Sequence, residues 1–350
     1  MKVKIQDVQT VQPPYTRKTE DIIPLVEFWL AEEDERYRRK AIKIFEGAQV
    51  NQRYSIMPPE SVFSNLTFEE RNIIYSQQAQ KIASEALQKS LINSGWDASS
   101  LDYIITVSCT GIMIPSLDAY LINEVGLKQS VVRLPVTEMG CVAGVSAMIY
   151  ASQFLQANPE KRAAIVAFEA PTATFLKEDT SMTNIVSSAI FGDGCACVLM
   201  SSEEMATGPE VVGSEMYHFY NQTHMMGFDL TNKGLKMVLD EAVPETITEH
   251  FPSILHPFLQ KFDLQIEDLT HLVFHPGGKK IVQTVEELFK DIGKDISSTK
   301  KVLREFGNMS SATVLYVLKD IIEKEPKANE FGLMLSFGPG FTAQRLLLKW

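Results

Sequence analysis

The chain has 350 residues, an ordinary globular composition, and a net charge of −11 from 33 basic and 44 acidic side chains. Its basic residues are not massed into a run, which argues against a nucleic-acid partner, because phosphate binding needs a concentrated positive face. The polar start MKVKIQDVQTVQPPY lacks an apolar signal core, and no stretch approaches a membrane span, so a cytoplasmic protein is expected.

In chain order, residues 17–50 are charged and amphipathic, and 1–55 reads as an N-terminal helical extension. A helix is predicted over 66–93 and a Val/Ile-rich strand over 103–108, ending at Ser108-Cys-Thr-Gly111. Met139-Gly140-Cys141 then opens an apolar helix over 139–157, followed by a strand at 164–168 and a long connection around 169–188. The next strand, 195–200, puts Cys195 and Cys197 on one face, where they read as small core residues. Further on come helices at 240–260, 281–292 and 312–324 and strands at 271–275 and 333–336, the alternation of an α/β protein. Four cysteines are too few for a disulfide scaffold, and no histidine follows them at metal-ligand spacing.

The chain also repeats itself. Leu101–Gly111 parallels Leu269–Gly278, Glu138–Leu155 parallels Glu305–Ile322 without a gap, and Ile190–Met200 parallels the stretch from Ser336 to Leu348. Three matches in order imply two α/β halves, 56–205 and 206–350, packed together. In the gapless alignment Cys141 stands opposite Asn308, a thiol in one copy and a carboxamide in the other.

A cysteine nucleophile works as its thiolate, which a helix N-terminus and a neighbouring histidine both favour. His275 is the best histidine for that task, because it ends a strand at a Pro-Gly-Gly turn. His271 is assigned to structure. Each residue alone has an ordinary explanation: a core thiol, a satisfied histidine, an N-cap asparagine. Their registration across the repeat points instead to a Cys141/His275/Asn308 site.

Four motifs, Thr137–Gly144, Phe274–Gly278, Gly307–Ser311 and Phe337–Gly340, resemble those of the type III polyketide synthases, the chalcone synthase-like family. The match runs in order from about residue 40 to the C-terminus. The resemblance implies a thiolase-like fold layered αβαβα, a homodimer, and no cofactor beyond CoA thioesters as substrates. It implies that Cys141 accepts an acyl-CoA starter, that His275 keeps it as thiolate, and that His275 and Asn308 hold malonyl-CoA as CO2 leaves. Iterated condensation and cyclisation would follow. Phe191 matches a gatekeeper between CoA tunnel and cavity, and Lys40 and Lys43 match positions that contact CoA phosphates. A third basic position is Gly47 here, for which Lys279 and Lys280 are candidate substitutes. Glu169 and Ser310 match a hydrogen-bond network next to Cys109, and Thr174, Ser187 and Gly338 match other substrate-contacting positions. Departures from plant members, at Cys109, Pro171, Ser187 and Met237, imply a bacterial-type pyrone, resorcinol, phloroglucinol or naphthalene product. The alternatives are a β-ketoacyl carrier-protein synthase III and an inactive thiolase-fold partner subunit.

Overall fold

The computed structural model describes residues 2–203 and 206–350. Nine strands form one mixed sheet in the spatial order Leu269–Phe274, Phe331–Gly338, Thr342–Lys349, Glu210–His218, Lys4–Val11, Gly194–Ser201, Arg162–Glu169, Tyr103–Val107, Val132–Val136. Lys4–Val11 and Glu210–His218 meet at the centre, and the repeated strands run outward from them on either side. On each side a parallel pair of the repeat, Tyr103–Val107 with Arg162–Glu169 or Leu269–Phe274 with Phe331–Gly338, lies next to an antiparallel neighbour.

Strand side chains alternate between two cores. Ile104, Phe168, Leu272 and Phe274 face an outer core, while Ile105, Ile165, Val273 and Met334 face an inner one. The inner core holds two adjacent buried helices, Ala143–Ala157 and Thr313–Ile322, between strands of both halves. The outer core holds Phe68–Ser94 over one half and Val243–Gln260 with Lys279–Phe289 over the other. The layering is thus αβαβα, a thiolase-like fold, as expected.

Local chemistry sets the ends of these elements. Thr67 and Glu70 form a capping box that starts Phe68–Ser94, and Gly95 in the left-handed region stops it. Cys195 and Cys197 are both fully buried in the outer core, as their spacing predicts. His271 is indeed structural, with Nε2 2.7 Å from Glu330 Oε2 and its ring beside Trp350.

Three expectations change. The segment 1–55 is not only helical: besides the helices Thr19–Trp29 and Glu35–Gly47 it supplies the central strand Lys4–Val11 and a two-stranded ribbon, Tyr15–Lys18 with Gln52–Ser55. The strand was hidden because its buried positions include Gln9 and Thr10 and its register shifts after Ile5. The connection 169–188 is ordered into the turn Pro171–Thr174 and the start of the helix Met182–Ile190.

The repeat register also shifts. Gly140–Val142 and Ser310–Ala312 are matching 3₁₀ turns that run directly into the inner helices, and each begins at positive φ, +55° at Gly140 and +48° at Ser310. Structurally, Cys141 therefore corresponds to Ser311, and Asn308 lies in the loop before the turn. The gapless alignment fails because the second copy inserts residues between its glycine, Gly307, and its helix.

The inner helices meet where Gly144 faces the Ser311 carbonyl. A Cβ on Gly144 would lie 2.3 Å from that oxygen, so a side chain there must spread the helices. Gly144→Ala is expected to cost about 1–3 kcal/mol by overpacking, read as a lower denaturant midpoint.

Candidate active site

Cys141 sits in the Gly140–Val142 turn at the start of the inner helix. The Phe337–Gly340 loop supports this turn from below. A Cβ on Gly338 would lie 2.8 Å from Val142 N, and one on Gly140 would lie 2.7 Å from the Pro339 ring. Ser336 Oγ also donates to the Cys141 carbonyl at 2.7 Å. Gly338 thus lies beneath the Cys141 turn and is not among the residues lining the cavity.

His275 follows the strand Leu269–Phe274, where its N–H donates to Leu335 O at 3.0 Å and extends the parallel ladder. It is 3 % exposed, and neither ring nitrogen has a partner. Burial therefore pushes its pKa down to about 3.

Asn308 is clamped by backbone. Its N–H donates to Ile190 O at 2.8 Å and its C=O accepts from Gly192 N at 3.1 Å, so it is bridged to Phe191. Its Oδ1 accepts from Ser310 N at 2.9 Å, and its Nδ2 donates to Gly277 O at 3.1 Å. These bonds lock the amide and leave one N–H of Nδ2 for the cavity.

Cys141, His275, Asn308, Phe191, Cys109 and Ser310 converge on one largely apolar pocket. Met226, Phe228 and Met237 close it from the ribbon Met226–Thr231 with Gly234–Leu239. Ser310 Oγ lies 3.7 Å from Cys141 Sγ and 3.5 Å from Cys109 Sγ. Burial pushes the Cys141 thiol up to about 12, against hydrogen bonds from Ser310 and Asn308 that favour its anion. The free site thus holds a neutral thiol and a neutral imidazole. Transfer of one proton between them would make an ion pair in which each charge stabilises the other.

Glu169 is fully buried behind the cavity. It accepts from Ser311 Oγ at 2.5 Å, Thr110 Oγ1 at 2.8 Å and Cys109 N at 3.1 Å. Cys109 Sγ stays 3.7 Å from its nearer oxygen. The network expected around Glu169 and Ser310 is present, with Ser311 as a member that the sequence reading did not find. Ser311 is the structural counterpart of Cys141, a match that the gapless sequence repeat hides by pairing Cys141 with Asn308.

Lys40 and Lys43, on the helix Glu35–Gly47, line an open mouth together with Lys279 and Lys280. Asp240 and Glu241 are the acidic members of that mouth. Lys279 Nζ lies 3.9 Å from where a Gly47 Cβ would stand, so it fills the space left by the missing basic side chain. Ile190, Leu239, Gly277 and Ile281 line both the mouth and the Cys141 pocket, which joins the two. Thr174 and Ser187 are not at the Cys141 pocket; they line a side pocket beyond Phe191. The four cysteines are unpaired, no cluster suited to a metal occurs among the described residues, and none of their helices is long and apolar enough to cross a membrane.

Family models match almost the whole chain: "Chalcone and stilbene synthases, N-terminal domain" over residues 30–204 and "Chalcone and stilbene synthases, C-terminal domain" over residues 212–350. A 1,3,6,8-tetrahydroxynaphthalene synthase of Streptomyces peucetius is 30% identical, covering 98% of this chain and 92% of the relative. A phloroglucinol synthase of Pseudomonas fluorescens is 29% identical, covering 89% of each chain. The crystal structure of the Streptomyces coelicolor 1,3,6,8-tetrahydroxynaphthalene synthase, a bacterial type III polyketide synthase, superposes with a TM-score of 0.93 at 27% identity over 99% of each chain. With a thiol, an imidazole and a carboxamide meeting in such a fold, this chain belongs to the chalcone and stilbene synthase family and is a type III polyketide synthase.

Proposed function

We propose that Cys141 carries the acyl chain while His275 and Asn308 extend it. The carrying observation is the convergence of these three side chains on one apolar pocket, with the imidazole otherwise unpartnered. In loading, the Cys141 proton passes to His275 as sulfur attacks the acyl-CoA carbonyl, and the CoA thiolate leaves with that proton. Malonyl-CoA then loses CO2, and the electron pair of the broken C–C bond becomes an enolate. N–H groups of His275 and Asn308 hold its oxygen, a task suited to fixed donors in a water-poor site. The enolate carbon attacks the Cys141 thioester, a C–C bond forms, and the cysteine sulfur leaves. Repetition and ring closure in the pocket give the product.

The lysines at the mouth support CoA thioesters as both substrates. Lys40, Lys43, Lys279 and Lys280 gather cations in an otherwise acidic protein, where the anionic end of CoA would rest. The phloroglucinol and tetrahydroxynaphthalene relatives support an aromatic product of bacterial type. Membership of this family sets aside the carrier-protein synthase alternative, and the complete Cys/His/Asn set argues against an inactive partner. We also read the protein as a cytoplasmic homodimer. Ile112 and Ile114 follow the Tyr103–Val107 strand and, with Val132 on the edge strand, expose apolar surface, Ile114 at 92 %.

Four outcomes test this reading. Incubated with malonyl-CoA and a series of acyl-CoA starters, Cys141→Ala should lose polyketide output on the order of 10³-fold or more by mass spectrometry. Output at the wild-type level would remove Cys141 as nucleophile, and equal use of malonyl carrier protein would remove CoA specificity. If His275 shares the thiol proton, iodoacetamide should alkylate wild-type Cys141 at lower pH than in His275→Gln, whereas coincident profiles would end that role. Lys279→Ala should raise KM for malonyl-CoA with little change in kcat, since the mouth lies away from the reacting carbons. Ile114→Glu should turn a dimer into a monomer by light scattering.

A further inference from the structure

Beyond Phe191, a side pocket adjoins the Cys141 cavity; Phe191, Pro171 and Met237 line both. Arg17 lines it too. It sits on the ribbon strand Tyr15–Lys18, directly opposite Arg53, and is 4 % exposed. Arg53 is satisfied in part, donating to Thr19 Oγ1 at 2.7 Å and Ser188 O at 3.3 Å. Arg17 is not: its buried Nε has no partner, and the guanidinium has no hydrogen bond among the described residues.

The one carboxylate acting on Arg17 is Asp193, which is already committed. It accepts from Ile56 N at 2.8 Å, from Thr172 N at 3.0 Å and from the Thr172 hydroxyl. Asp193 acts on Arg17, whereas the charged neighbour acting on Arg53 is Arg17 itself, so among the described residues the pair carries one more positive charge than it has carboxylates. Burial lowers Arg17 to about 10, so it remains a cation at neutral pH.

The neighbouring hydroxyls donate to backbone carbonyls and accept no hydrogen bond from Arg17 among the described residues. Thr174 Oγ1 donates to Pro171 O, Ser187 Oγ to Thr183 O and Ser188 Oγ to Asn184 O, each between 2.7 and 2.8 Å. The side pocket therefore presents one uncommitted donor group, a planar fork shaped for a carboxylate. A buried charge left unpaired is costly, and a ligand that supplies its counter-charge recovers that cost.

We propose that Arg17 binds a carboxylate at the far end of the acyl group carried by Cys141, so that the side pocket selects ω-carboxyacyl (dicarboxylic acid monothioester) starters. The proposal rests on Cys141 being the acyl acceptor. The phosphates of CoA stay at the lysine-lined mouth, and Phe191 stands where the acyl chain turns into the side pocket.

The test compares matched starters: succinyl- with butyryl-CoA, glutaryl- with pentanoyl-CoA and adipyl- with hexanoyl-CoA. In Arg17→Met the ratio of kcat/KM for the carboxylated to the plain starter should fall about tenfold or more for the best-fitting length. Arg17→Lys keeps the charge without the fork and should show a smaller fall, which also covers poor folding of the Met variant. Free glutarate should raise the melting temperature of wild type more than pentanoate does, and this difference should vanish in Arg17→Met. Ratios that stay constant, or equal shifts with glutarate and pentanoate, would overturn the proposal and leave Arg17 structural. Intact-mass labelling separates the two ideas. If hexanoyl-CoA labels Cys141 and no carboxylated starter does, only the side-pocket proposal falls; if hexanoyl-CoA does not label it, the acyl-acceptor reading falls and takes the proposal with it.

Discussion

The Glu169 carboxylate joins the two halves at the point where chemistry is placed. It ends a strand of the first half, yet its shortest bond is to the Ser311 hydroxyl of the second, while Thr110 and the Cys109 backbone bind it from the opposite side. A buried carboxylate without such donors would be far costlier, so the donors and the acceptor hold each other in position. Ser311 belongs to the turn that leads into the second inner helix, and its carbonyl lies against Gly144 of the first. Moving one helix start therefore disturbs the carboxylate, and both adjoin the Ser310 hydroxyl that lies between Cys141 and Cys109. Raised by burial, Glu169 belongs to the frame of the site and not to its surface.

The same burial defines the resting state of the reactive groups. Around Cys141 and His275, desolvation outweighs local hydrogen bonding and holds both neutral. That suits an enzyme in which charge should appear only when substrate arrives, because donors already fixed in a dry pocket need little reorganisation. Asn308 illustrates the arrangement. Its backbone N–H and C=O, its Oδ1 and one N–H of its Nδ2 are tied to protein, and the second N–H of Nδ2 is left for the cavity.

Two groups of cations adjoin the site in this acidic chain. One set, at the mouth, includes Lys279 beside Gly47, so a position lost on one helix is answered from another element. The other is the Arg17/Arg53 pair behind Phe191, in which Asp193 acts on Arg17. The two sets lie on either side of the reactive cysteine, one reached from solvent and the other adjoining its cavity.

Much of the molecule was legible in one dimension. Period-2 and apolar runs located strands such as Arg162–Glu169 and Leu269–Phe274 and helices such as Phe68–Ser94, because those signals are local. The motifs around Cys141, His275 and Asn308 identified the family for the same reason, since each is a short turn with a strict backbone demand. What depended on distant partners was not legible. Lys4–Val11 is a strand only because Gly194–Ser201 and Glu210–His218 lie beside it. The true counterpart of Cys141 is Ser311, which required the positive-φ turn at Ser310 to be seen. The sequence by itself determined the α/β repeat, the family and the three side chains, Cys141, His275 and Asn308, that meet in one pocket. Tertiary structure decided that Thr174 and Ser187 belong to a side pocket, that Lys279 occupies the space beside Gly47, and that the buried Nε of Arg17 has no hydrogen-bond partner among the described residues. Burial and charge balance arise from residues far apart in the chain, and no local pattern records them.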